Sequence, residues 1–258
     1  MLNVIPIPAF TDNYIWLIHN SETNQAAAVD PGDALPVRAY CEQNNITLNT
    51  ILITHHHPDH IGGIEELAGH YNITVYGPAA ELIPHCDHPL HEGQCVTLPL
   101  LNNLTLSVID IPGHTSGHIA YEGNGWLFCG DTLFAAGCGR LFEGTPAQMH
   151  HSLSKLAALD PQTQVFCAHE YTLANLKFAL SVNGSNQDLI TRVKHITRIR
   201  NEGKITLPST IDIELKTNPF LRSDDPEIIQ AAEHYRKRPL HNSVDVFTAI
   251  REMKDSFI

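Results

Sequence analysis

Four short apolar runs in this chain each end on a residue that can bind a metal. TILIT leads into HHHPDH at residues 55–60, LSVIDIPG into His114, WLFCG into Asp131 and VFCA into His169. Runs of this length, rich in β-branched and aromatic residues, read as buried strands. A chain built this way must place its donors at the carboxyl ends of several strands. That requirement excludes an all-helical fold.

The remaining pattern agrees. VIPI, YIWLIH and AAAVD read as strands, with the turn-rich SETNQ joining the last two as a hairpin. Further strands are expected at ITVYG, QCVTLPL, LTLSVIDI, HIAYEG, GWLFCGD and TQVFCAHE. Helices are expected at PVRAYCEQN, IGGIEELAGHY and PAQMHHSLSKLAAL. Strands and helices mixed without strict alternation indicate a layered α/β fold. From Tyr171 onward the spacing becomes helical in LANLKFALSV, DLITRVKHITRIR, PEIIQAAEHY and SVDVFTAIREMK. Two regions are therefore expected, 1–170 and 171–258.

Charge divides at the same point. Residues 1–170 have a net charge of −14 and residues 171–258 one of +2, together −12. An acidic chain disfavours a nucleic-acid partner. No apolar run is long enough for a membrane-spanning helix, and the start, MLNVIPIPAF, lacks the basic n-region of a signal peptide. Six scattered cysteines without a CxxC pair read as reduced thiols, so a cytoplasmic protein is expected. A monomer is expected as well.

Parity sorts the histidine cluster. In a near-extended loop alternate residues share a side, so His55 and His57 converge while His56 points away. Pro58 disfavours helix at His57 and favours a turn or helix just after it. The change of direction lets Asp59 and His60 face a second point. The loop thus offers two donors to each of two ions, and His114, Asp131 and His169 complete a dinuclear set. A carboxylate can bridge two cations, which suits Asp131. His118 begins the next strand and reads as structural or as support for a ligand. His85, His88, His91, His150, His151 and His195 have no comparable context and read as surface residues.

THHHPDHIGG, GHTSGH, FCGDTLF and CAHEYT together resemble the metallo-β-lactamase superfamily. GCGRLFEG, NPFLR and the terminal REMKD narrow the resemblance to its hydroxyacylglutathione hydrolase (glyoxalase II) family, over essentially the full length. The resemblance implies an αβ/βα sandwich followed by a smaller helical, glutathione-binding domain. It places one ion on His55, His57 and His114 and the other on Asp59, His60 and His169, with Asp131 bridging. The implied ions are two divalent metals, usually zinc, with iron or manganese accepted in some members. The implied reaction is hydrolysis of S-(2-hydroxyacyl)glutathione, chiefly S-D-lactoylglutathione, by a metal-bridging hydroxide that Asp59 helps to orient. Two ions sharing a water lower its pKa from about 15.7 toward 7. A thiolate leaving group, with a conjugate pKa of roughly 8.5, needs no dedicated general acid.

The resemblance also assigns Arg251 and Lys254 to the glycine carboxylate of glutathione, with Arg140 and Tyr171 as further contacts. Arg251 and Lys254 lie three apart and share a helix face, yet cations in a last turn are equally explained by the helix dipole. The chain departs from its relatives in GCGRLFEG, with Arg140 where lysine is common and Phe142 where tyrosine is common. A lost hydroxyl donor is worth about 0.5–1.5 kcal/mol, so weaker substrate affinity is expected. An iron-dependent persulfide dioxygenase of the same superfamily is the alternative, distinguished by a mononuclear site.

Overall fold

The computed structural model describes residues 1–257, which form two compact units. One comprises residues 1–110 with 115–130, the other 111–114 with 131–257.

The first unit opens with β1 (Leu2–Ala9), β2 (Asn13–Asn20) and β3 (Gln25–Val29), followed by α1 (Ala34–Asn44) and β4 (Thr47–Leu52). Then come α2 (Pro58–Ile61), α3 (Ile64–His70), β5 (Thr74–Pro78) and β6 (His88–Leu90). These strands make one sheet in the order β1-β2-β3-β4-β5-β6. The pairs β1–β2 and β2–β3 are antiparallel, and the rest are parallel. Burial explains the composition. Strands covered on both sides need apolar residues at every position, and IWLI of β2, AAAV of β3 and IL of β4 are all buried. Their core also takes Val37 and Cys41 of α1 and Ile64 and Leu67 of α3. A four-stranded antiparallel meander completes the unit: β7 (Cys95–Leu98), β8 (Leu104–Asp110), β9 (Ile119–Gly123) and β10 (Trp126–Gly130). The buried Tyr121 of β9 donates its hydroxyl to the Ile53 carbonyl just after β4, at 2.9 Å.

One helix in this unit differs from the sequence expectation. IGGIEELAGHY does not form a single helix; α2 ends at Ile61 and α3 begins at Ile64. The cause is close backbone packing. A Cβ on Gly62 would lie 2.7 Å from the Gly32 carbonyl oxygen, and one on Gly63 would lie 2.4 Å from that of Pro31. The DPG turn after β3 is thus pressed against the segment carrying Asp59 and His60, with no room for a side chain between them.

The second unit contains the short hairpin β11 (Leu133–Phe134) and β12 (Gly137–Cys138), then α4 (Pro146–Ala157) and β13 (Gln164–Cys167). α5 (Thr172–Val182), α6 (Gln187–Asn201), β14 (Ser209–Thr210), α7 (Ile211–Thr217), α8 (Pro226–Arg236) and α9 (Ser243–Asp255) follow. Thr145 caps α4 with a capping box closed by Gln148, and Asn186, Asp225 and Asn242 cap α6, α8 and α9. Sequence periodicity missed α7, β14, β6 and the β11–β12 hairpin. Each is short, and polar side chains rather than an apolar stripe hold the hairpin in place.

Those polar groups are Glu214 and Asn218. The fully buried Glu214 accepts from Arg192 Nη2 at 2.6 Å, from the Ala136 amide at 2.8 Å and from Asn218 Nδ2 at 3.0 Å. Asn218, in the NPFLR motif, also donates to the carbonyls of Phe134 (3.1 Å) and Gly137 (2.9 Å). Removing one partner of such a pair leaves a buried charge uncompensated. Glu214→Ala is expected to lower stability by about 3–5 kcal/mol, measured by urea unfolding. A loss below about 1 kcal/mol would show that the pair is dispensable.

Candidate metal centre and its surroundings

The loop after β4 carries four of the expected ligands. Thr54 takes the Asp30 carboxylate through its amide (2.8 Å) and its hydroxyl (2.7 Å), which fastens the loop's start to the end of β3. The Thr54 hydroxyl also meets His55 Nδ1 at 3.0 Å, while His55 Nε2 lies 3.2 Å from His57 Nδ1. His60, on α2, has Nδ1 3.1 Å from Asp30 Oδ2 and Nε2 3.5 Å from Asp59 Oδ2. Asn13 Nδ2 donates to that same Asp59 oxygen at 3.0 Å. The structure thus brings His55 together with His57, and Asp59 together with His60. His56 is turned to Glu81, and His118 stacks on the His55 ring at 4.5 Å between centroids.

The second unit carries the other three. His114 follows a turn in which its carbonyl accepts from the Phe142 amide at 3.3 Å, and its Nδ1 donates to the Arg140 carbonyl at 2.8 Å. Its Nε2 lies 3.4 Å from Asp131 Oδ2. His169 Nε2 lies 3.3 Å from the other oxygen, Oδ1. Each oxygen of the buried Asp131 therefore meets a different histidine.

These spacings test whether the residues fit metal ions. Two donors on one tetrahedral ion at about 2.0–2.1 Å are about 3.3 Å apart. The pairs His55–His57, Asp59–His60, His114–Asp131 and His169–Asp131 all fall within 0.2 Å of that separation. Imidazole and carboxylate are borderline-to-hard donors suited to zinc, iron or manganese. The donor set fits.

The expected substrate contacts lie in the second unit. Arg140 Nε donates to Asp255 Oδ1 at 3.3 Å, and Arg251 Nη2 reaches the same oxygen at 3.0 Å. Arg251 is buried, gives Nη1 to the Cys138 carbonyl at 2.8 Å, and lies over the Phe220 ring. Lys254 sits over the rings of Phe178 and Phe257. Its pKa lies below the usual lysine value, mainly because burial disfavours the charge and then because Arg251 repels it. Burial also pushes the Cys138 thiol up to about 11. Tyr171 stacks flat on His169 at 4.7 Å. The exposed Phe142 meets the His114 ring edge-on at 5.2 Å. The structure gathers Arg140 and Arg251 around Asp255, whereas Tyr171 packs on His169.

Sequence reading missed four residues here: Asn13, Asp30, Glu81 and Asp255. Two of them had a local signal: AAAVD is another apolar strand ending on a carboxylate, and Asp255 lies four residues after Arg251 on one helix. Asn13 and Glu81 reach Asp59 and His56 from distant positions that no local pattern reveals.

Residues 10–169 match the family model described as "Metallo-beta-lactamase superfamily", and fold and site together define a member of that class. Solved structures share the fold: ETHE1 from Myxococcus xanthus (TM-score 0.67, 20% identity, covering 100% of this chain and 96% of that one) and the BLEG-1 B3 metallo-beta-lactamase (0.63, 24%, covering 86% and 100%). Residues 170–257 match the model "Hydroxyacylglutathione hydrolase C-terminus". Curated proteins named hydroxyacylglutathione hydrolase are 51% identical in Nitrosomonas europaea (100% of this chain, 97% of that one) and 51% in Photobacterium profundum (100% of both). The chain belongs to the hydroxyacylglutathione hydrolase family.

Asp30, which is not among the seven expected ligands, faces one of them, His60. Partners of this kind typically change metal affinity 10–100-fold. Asp30→Asn, which keeps the size but loses the charge facing His60, is expected to weaken zinc binding by about that factor in a competition titration. Unchanged affinity would remove Asp30 from the account.

Proposed function

We infer that this protein hydrolyses S-(2-hydroxyacyl)glutathione, chiefly S-D-lactoylglutathione, to glutathione and the 2-hydroxy acid, the second step of methylglyoxal detoxification. The observation that carries this reading is the double role of Arg140. Its carbonyl holds His114, and its side chain joins Arg251 at Asp255. One residue thus links a metal ligand to a cation cluster suited to an anionic tripeptide. The family relatives, about half identical over the full chain, support the same activity.

The proposed ligands are His55, His57 and His114 for one ion and Asp59, His60 and His169 for the other, with Asp131 shared. Zinc is the proposed metal, and iron or manganese suits the same donors. When bound, such ions acidify water to a nucleophile and polarise the thioester carbonyl. Asp59 orients the attacking water in this reading, a role supported by the hydrogen bond it accepts from Asn13. Arg251 and Lys254 receive the glycine carboxylate of glutathione, and Arg140 and Tyr171 contact the rest. The thiolate leaves without a proton donor, its conjugate acid having a pKa of roughly 8.5.

Residues 1–170 act as the catalytic domain and 171–258 as the glutathione-binding domain, a division supported by the two family matches. Six free thiols support a cytoplasmic setting. Among the described residues no helix is long and apolar enough to cross a membrane. The working form is a monomer. A mononuclear dioxygenase site needs only one metal position. Asp131, with its two oxygens on two histidines, favours the dinuclear reading.

The test is turnover of S-D-lactoylglutathione by the purified protein. Activity should be abolished by a strong chelator and restored by zinc. Chelator-insensitive turnover, or none after metal is restored, would overturn the reading.

A further inference from the structure

His56 lies inside the ligand loop yet holds no place in the seven-residue set. It is held by Glu81, in the loop between β5 and β6. Glu81 Oε2 accepts from the His56 amide at 2.6 Å and meets His56 Nδ1 at 2.8 Å. A carboxylate only accepts, so Nδ1 carries the proton. The other oxygen, Oε1, accepts from the Thr115 hydroxyl and from the Gly117 amide at 3.0 Å. The Glu81 side chain is only 2% exposed, so four donors, two of them main-chain amides, satisfy one buried carboxylate.

These partners belong to two segments that carry metal chemistry. His56 separates the ligands His55 and His57, whereas Thr115 and Gly117 lie between His114 and His118. The approach is too close for a side chain on the second segment. A Cβ on Gly117 would lie 2.6 Å from Glu81 Cγ and 2.9 Å from Ala80 Cβ. This accounts for the second glycine of GHTSGH, Gly117.

We propose that Glu81 is a positioning residue for the metal centre, and that His56 is the handle by which it sets the parity of the ligand loop. An extended segment can turn about its own axis beyond Thr54, which holds the loop's start and meets His55 Nδ1. Anchoring the amide and imidazole of His56 sets which way its two neighbours face, because alternate side chains point to opposite sides. The second oxygen sets where the segment after His114 begins its return to β9. One carboxylate therefore orients donors that a metal ion would otherwise have to gather at an entropic cost.

The inference rests on the proposed metal set, and its test reads metal binding rather than hydrolysis, so a failed thioesterase assay leaves it standing. Apoprotein is titrated with cobalt(II) against a chromophoric competitor, and the visible absorption of the saturated protein is recorded. Glu81→Gln keeps the size but replaces one acceptor with a donor facing other donors. Affinity is expected to fall about 10–100-fold, with an altered cobalt spectrum at saturation. His56→Ala removes one of the four bonds and should fall by less, in the same direction. Circular dichroism and thermal unfolding of the apo variants run alongside. Affinity within twofold of wild type in both folded variants would overturn the proposal. So would a weaker Glu81→Gln protein whose saturated spectrum matches wild type, since that outcome assigns Glu81 to general stability. If Glu81→Gln does not fold, His56→Ala decides: unchanged cobalt affinity overturns the proposal, and a spectral shift supports it.

Discussion

The proposed metal centre would depend on imidazoles being committed at one nitrogen before any metal arrives. His55 Nδ1 meets Thr54, His60 Nδ1 meets Asp30 and His114 Nδ1 meets the Arg140 carbonyl. The Thr54 and Arg140 contacts fix the rotation and tautomer of the His55 and His114 rings, with Nε2 as the donor a metal would take there, while Asp30 faces His60 Nδ1. His57 does the opposite and offers Nδ1, the atom that faces His55. A loop of free histidines would lose much of its binding energy in ordering them. Here the fold has already done that.

The backbone makes those commitments possible. Asp30 can reach both Thr54 and His60 because the DPG turn lies flat against α2, with glycines on both sides of the contact. In the second unit, the hairpin after Asp131 is held by Glu214 and Asn218 from the region of α7. Cys138, at the end of that hairpin, offers its carbonyl to Arg251. Residues late in the chain therefore support both the segment after Asp131 and the cation cluster.

How much of this was legible in the sequence follows from where each signal resides. The strands that end on His114, Asp131 and His169 were readable because burial on both faces leaves an uninterrupted apolar run. Alternation alone set His56 apart from His55 and His57, and the structure turns His56 to Glu81. The break between α2 and α3 was not readable, because it comes from a backbone contact with Gly32 and Pro31 far upstream. α7 and the β11–β12 hairpin were hidden for a similar reason, since their stability lies in hydrogen bonds to a distant buried carboxylate. The support residues Asn13 and Glu81 act across 46 and 25 positions of chain, beyond the reach of any local pattern.

The proposal stands or falls on whether Asp131, whose two oxygens meet different histidines, would be shared by two metal ions. Metal stoichiometry of the wild-type protein tests it most directly, by titrating apoprotein with zinc and confirming the count by elemental analysis. The account predicts two equivalents per chain, with Asp131→Ala losing tight binding of both together. A single tight equivalent, or a variant that retains one ion at wild-type affinity, would contradict it.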